Sequence, residues 1–113
     1  MKPKRLPSIY DGVSEKQWQA SVRDKAEKHR WVILNASWLS LHSPTGFPDL
    51  TLAKEQPDGS WRLLFVELKR EKGSLTLRQE ISLDILGRVP GVLVKVWRPS
   101  DTPEVERILA EGL

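Results

Sequence analysis

The sequence predicts an α/β fold in which a mixed sheet of about four strands is flanked by helices. Three observations carry that expectation. Two amphipathic stretches that open on capping-box patterns, Ser14 to His29 and Thr76 to Leu86, alternate with apolar runs of strand length. Gln56-Pro57-Asp58-Gly59-Ser60 is too short for a crossover, so the runs on either side form an antiparallel hairpin. A helix then separates the run ending at Lys69 from the run beginning at Val92, which calls for a right-handed crossover between parallel strands.

With 113 residues the chain fits one domain, 1–113. It is 39% hydrophobic and 29% charged, an ordinary balance for a globular chain with one modest core. A formal net charge of +3, from 18 basic and 15 acidic residues, points weakly to a polyanionic partner. The absence of cysteine excludes disulfides, thiolate metal sites and a cysteine nucleophile, and fits a cytoplasmic protein. There is no apolar signal core, and no run is long enough to span a bilayer, so no membrane partner is expected.

Residues 1–10 are expected to be a flexible basic arm. Lys2, Lys4 and Arg5 lie between Pro3 and Pro7, which rule out a regular helix or a central strand. Such an arm is either a solvated terminus or a contact for phosphates. In the first helix Trp18, Val22 and Ala26 make the buried stripe, and Ser14 with Gln17 forms the cap. Glu15, three residues before Trp18, lies on the side of that stripe. It is either favourable charge at a helix N-terminus or an acid turned toward a site.

Trp31 to Leu34 is continuously apolar, as a strand buried on both faces would be. The stretch from Asn35 to Pro48 is mixed and ends in a turn cluster. His42 within it is expected to be a loop histidine rather than a ligand or base. Asp49 to Ala53 is the second strand and Trp61 to Lys69 the third. One face of the third strand reads Trp61, Leu63, Phe65, Glu67, Lys69. The first three are expected in the core, and the last two interrupt it with charge, which is costly unless compensated. The second helix, Thr76 to Leu86, is capped by Thr76 and Gln79. Its apolar side is Ile81, Leu83, Ile85 and Leu86, and Gly87 suits a left-handed terminal residue. Val92 to Trp97 is the fourth strand, and Asp101-Thr102-Pro103-Glu104 starts a short last helix.

The candidate chemistry sits where the second and third strands meet. If they pair, Asp49 approaches Glu67. Two carboxylates about 4 Å apart repel by roughly 4 kcal/mol at an effective dielectric of 20. A divalent cation reverses that term. Magnesium takes one or two carboxylates and keeps several waters, one of which can attack a phosphate. Lys69, on the same face as Glu67, can orient or deprotonate a water, or offset charge in the transition state. By spacing alone, Glu67 and Lys69 are equally an exposed ion pair worth at most about 1 kcal/mol. The Gly-x-Pro-Asp turn and the glutamine-bearing helix favour the chemical reading.

Gly46-Phe47-Pro48-Asp49 followed by Glu67-Leu68-Lys69 resembles the Pro-Asp…Glu-x-Lys nuclease signature. With Glu15 at the start of the first helix and Gln79 on the helix after the lysine strand, the chain more closely resembles the virus-type replication-repair nuclease (VRR-NUC) domain, over about Ser14 to Trp97. The resemblance implies a stand-alone viral or bacterial member with a restriction-endonuclease-like core. It further implies Mg2+ or Mn2+ dependence and hydrolysis of DNA phosphodiester bonds. Asp49, Glu67 and the Leu68 backbone carbonyl carry over as metal ligands, and Lys69 as the catalytic lysine. Glu15 carries over as an outer acid acting through water or a second metal. Gln79 would position the lysine, the water or a phosphate, and its capping role competes for the same side chain.

Stand-alone members resemble homodimeric Holliday-junction resolvases, which would make branched DNA the substrate and a second copy a partner. Trp38, Leu39 and Leu41 are candidates for that interface, or they complete the monomer core. Arg70, Lys72 and Arg78, with Arg88 and Arg98 beyond them, are candidates for phosphate contacts. Trp18, Trp31, Trp61 and Trp97 fall in expected core elements, so packing rather than base stacking is expected of them. The alternatives are a flap, nicked or single-stranded DNA nuclease, and a DNA-binding module without catalysis.

Overall fold

The computed structural model describes residues 8–39 and 45–111. Lys2, Lys4 and Arg5 of the expected arm, and Leu41 and His42, lie outside the described residues. The elements are α1 (Glu15–Lys28), β1 (Val32–Ala36), β2 (Leu50–Glu55), β3 (Trp61–Leu68), α2 (Leu77–Gly87), β4 (Val92–Trp97) and α3 (Thr102–Glu111), with 3-10 turns at Ser37–Leu39 and Pro99–Asp101. The sheet order is β1-β2-β3-β4. β1 and β3 run antiparallel to β2, and β4 runs parallel to β3 across the α2 connection. This is the expected mixed four-stranded sheet flanked by helices.

Both capping boxes form. Ser14 Oγ accepts from Gln17 N at 3.1 Å and Thr76 Oγ1 from Gln79 N at 3.2 Å. The closed core lies on one face of the sheet. Leu50, Leu52, Leu64, Val66, Leu68 and Trp97 pack there against Trp18, Val22 and Ala26 of α1 and Val105, Ile108 and Leu109 of α3. Two indoles stitch the layers: Trp18 Nε1 donates to Trp97 O and Trp31 Nε1 to Leu109 O, each at 2.9 Å.

The other face departs from expectation. Strand alternation puts Trp61, Leu63, Phe65 and Glu67 there, away from α1 and α3. α2 covers only the Glu67 end, so Phe65 and Glu67 are buried while Trp61 is 57% exposed and Leu63 only partly covered. Trp61 is therefore not a core residue. Nor is β1 buried on both sides. It is an edge strand beyond the reach of α2, and its Val32 and Leu34 are 44% and 59% exposed. A continuous apolar run says nothing about which side finds a partner. No residue of α2 is fully buried, although its apolar side was expected to pack.

Gly87 is helical rather than left-handed. α2 ends in a tightened turn, with Arg88 N and Val89 N donating to Ile85 O and Leu86 O, so its last carbonyls are met without a reversal. The positive φ falls at Gly91 instead. Ser8 to Tyr10 belong to a hydrogen-bonded turn and not to a free arm: Asp11 N donates to Ser8 O at 3.0 Å, and Val13 N to Tyr10 O at 3.1 Å. None of the helices among the described residues is long and apolar enough to cross a membrane.

Candidate functional site

The β2–β3 register pairs Leu50 with Val66, so one step further Asp49 comes opposite Glu67 at the end of the hairpin. The Gly46–Asp49 turn holds it there. Gly46 adopts φ +83, and a Cβ on it would lie 2.8 Å from Arg78 Cβ and 3.0 Å from the Arg78 backbone. Only glycine lets this turn approach the first turn of α2 so closely. Phe47 docks edge-on against Phe65, with ring centroids 5.8 Å apart.

Three hydrogen bonds then fix Asp49. Its carbonyl accepts from Ser37 N at 2.8 Å, Oδ1 accepts from Ser37 Oγ at 2.8 Å, and Oδ2 accepts from Leu68 N at 2.8 Å. Ser37 is the residue the sequence does not flag. It is a serine in an irregular stretch, twelve positions before its partner, with no motif around it.

Glu67 is 1% exposed. Its Oε1 accepts from Gln79 Nε2 at 3.0 Å, while Oε2 is buried without a hydrogen-bond partner. Burial first, then the Asp49 charge and the hydrogen bond a protonated Glu67 makes to Asp49, push this carboxyl up to about 8; Lys69 opposes them and Glu15 adds a smaller push. The main chain also converges here. Lys69 N donates to Trp97 O at 3.1 Å, so β3 pairing continues one residue past Leu68 and keeps Lys69 on the Glu67 face. The trans peptide sends the Leu68 carbonyl the opposite way, toward the Asp49 side.

Asp49, Glu67, the Leu68 carbonyl and Lys69 thus meet at one end of the sheet, and Gln79 joins them from α2. The cap leaves its amide nitrogen free for the site, where its contact is Glu67 and not the lysine, a water or a phosphate. Oε1 accepts from Thr76 N at 2.9 Å, completing the capping box, and the same amide donates from Nε2 to Glu67. Glu15 is exposed at the first position of α1, close enough to act electrostatically on Glu67 but not part of the contact cluster. Among the described residues, no group of three or more His, Cys, Asp or Glu side chains gathers with metal-binding geometry.

The donor set nonetheless fits one hard cation. It offers two carboxylates that repel each other, one of them carrying an orphaned buried oxygen, and a backbone carbonyl on the same side. That is the small protein share magnesium tolerates.

The basic residues divide. Arg70 and Arg78 are exposed beside the site. Lys72 lies 3.3 Å from Asp11, and Arg88 lies 3.3 Å from Asp84 near the far end of α2. Arg98 Nη2 donates to Gly73 O at 2.8 Å, which ties down the loop after Lys69 instead of leaving the guanidinium open. Trp38 packs partly against the core, while Leu39 is exposed. Comparison with family models, curated proteins and solved structures gave no match.

Proposed function

We propose that the chain is a metal-dependent DNA endonuclease that hydrolyses phosphodiester bonds in branched DNA. We read it as a homodimeric Holliday-junction resolvase of the VRR-NUC type, using Mg2+ or Mn2+. Its expected setting is repair or recombination in the cytoplasm of a bacterium or a virus-infected cell. The observation that carries this reading is the buried Glu67 carboxyl held against Asp49, with one oxygen left without a donor. Two facing carboxylates buried together must share either a proton or a cation, which a plain ion pair would not require. The arrangement makes sense when a cation completes it.

Asp49, Glu67 and the Leu68 carbonyl would hold that cation. When bound, it supplies positive charge that offsets the two carboxylates and polarises the attacked phosphate. The chain's own residues do the rest. Ser37 and Leu68 N orient both oxygens of Asp49, and Gln79 orients Glu67. Lys69 sits beside them with its ammonium available to a water or to a phosphate oxygen, where it stabilises charge that develops in the transition state. Arg70 and Arg78 would bring the DNA backbone to this end of the sheet, with affinity falling steeply as salt rises.

The test is cleavage of labelled four-way junctions, flaps, nicked duplexes and single strands in Mg2+ or Mn2+. Paired symmetric cuts across the junction are expected from the wild type, and no cuts from Asp49→Asn or Lys69→Ala. Absence of wild-type cleavage on every substrate, or cleavage that survives both substitutions, overturns the reading. Cuts confined to flaps or single strands keep the chemistry and replace the substrate.

A further inference from the structure

α2 covers only part of its face of the sheet. Beside it lies a bare apolar groove of about 490 Å3, whose walls include Val32, Leu34 and Trp61. Strands lie about 4.8 Å apart, so the uncovered strip from β1 to the start of β3 is about 10 Å wide, the diameter of one helix. α2 is on the same face, since Gln79 reaches Glu67 from above it. Its outer side carries Leu77, Ile81 and Ile85, one every fourth residue and all exposed. Six of the nine large exposed apolar side chains among the described residues therefore belong to this groove or this stripe. An apolar surface so concentrated marks an interaction site.

We infer that this face joins two copies of the chain, the Leu77–Ile81–Ile85 stripe of each α2 seated in the groove of the other. Two features favour a second copy over a different partner. A two-fold interface needs one patch that carries both projection and socket, and this patch carries both. The groove is one helix wide, and α1 and α3 already bury their apolar stripes, so α2 is the helix left to fill it among the described residues. The inference replaces the interface expected at Trp38 and Leu39. It deepens the paired-cut reading above and rests on that reading for its purpose, while its geometry stands without DNA or metal.

Sedimentation equilibrium of the full chain, without DNA or metal, tests it. The wild type is expected to dimerise. Leu34→Lys and Ile85→Glu each touch one side of the contact at an exposed position. Each should weaken the dimer about 30-fold or more, the scale of a hot-spot residue, with unchanged circular dichroism. Mixing the two variants should restore a dimer, because one seat is then wild type and the other sets Lys against Glu. A monomeric wild type overturns the inference, as does a dimer that either substitution leaves intact or a mixture that stays monomeric. A monomeric wild type that still cleaves DNA sinks the interface and the homodimer and leaves the nuclease chemistry standing. A dimer that cleaves nothing sinks the nuclease reading alone.

Discussion

Gln79 holds Glu67 with one end of its amide and its own helix with the other. Nε2 donates to Glu67 Oε1 at 3.0 Å, and Oε1 accepts from Thr76 N at 2.9 Å. Because Thr76 N–H can only donate, the capping box fixes which end of the amide turns to the carboxylate. The start of α2 is thereby aimed at the site. Gln79→Ala removes both bonds, and urea unfolding is expected to lose about 1–2 kcal/mol. Gln79→Glu keeps the cap but replaces the donor by a carboxylate oxygen against Glu67. It should melt lower than the wild type in metal-free buffer and recover more on adding Mg2+ or Mn2+. A Gln79→Glu variant as stable as the wild type without metal would contradict this geometry.

The Glu67 carboxyl gives the metal-free chain a pH dependence of known sign. It stands at about 8 in the fold against 4.5 for an ordinary glutamate. An acid raised by folding favours its protonated form, so the stability it contributes is complete below 4.5 and is lost as pH climbs through about 8. The melting temperature in EDTA should therefore fall across that window relative to Glu67→Gln, which cannot ionise. Asp49→Asn should flatten the decline, because it removes the neighbouring charge. A divalent cation competes with the proton, so its stabilising effect should be larger near pH 8 than near pH 5. A wild-type curve parallel to that of Glu67→Gln would refute the assignment.

Local chemistry made most of the fold and half of the site legible. Capping boxes at Ser14 and Thr76, the Pro57–Gly59 turn and the Glu67–Lys69 alternation are all settled within a few residues of chain, and each forms. What escaped was set by tertiary cover. Trp61 and Leu34 have the same composition and alternation as core residues, and only the reach of α2 leaves them exposed. Ser37 escaped for a related reason. Its partner is chosen by the β1–β2 pairing, which is irregular between Ile33 and Asn35, and no local pattern encodes it.

Ser37 is expected to act as a positioning residue for Asp49. Ser37→Ala removes the donor to Oδ1 and leaves Leu68 N on Oδ2. Mn2+ affinity measured by calorimetry should drop about 10-fold or more, the scale of losing a residue that orients a ligand. Melting of the metal-free chain should change little, since the bond is only partly buried. Ser37→Thr, which keeps the hydroxyl, should restore binding. Equal affinity in wild type and Ser37→Ala would show that Leu68 N alone suffices.

Gly46 and Gly59 separate the cost of a backbone angle from the cost of close approach. Both adopt positive φ, +83 and +86, but a Cβ at Gly59 meets nothing within 4 Å, whereas at Gly46 it meets Arg78 Cβ at 2.8 Å and its backbone at 3.0 Å. Gly59→Ala should therefore show the conformational penalty alone, about 1 kcal/mol in urea unfolding. Gly46→Ala should lose clearly more, because the Arg78 backbone cannot move without taking the first turn of α2 with it. That turn carries Gln79. The larger loss should thus come with weaker Mn2+ binding in Gly46→Ala and unchanged binding in Gly59→Ala. Equal unfolding energies for the two variants would mean that the Gly46 turn and α2 separate freely, and that Gln79 is not held to Glu67 by this contact.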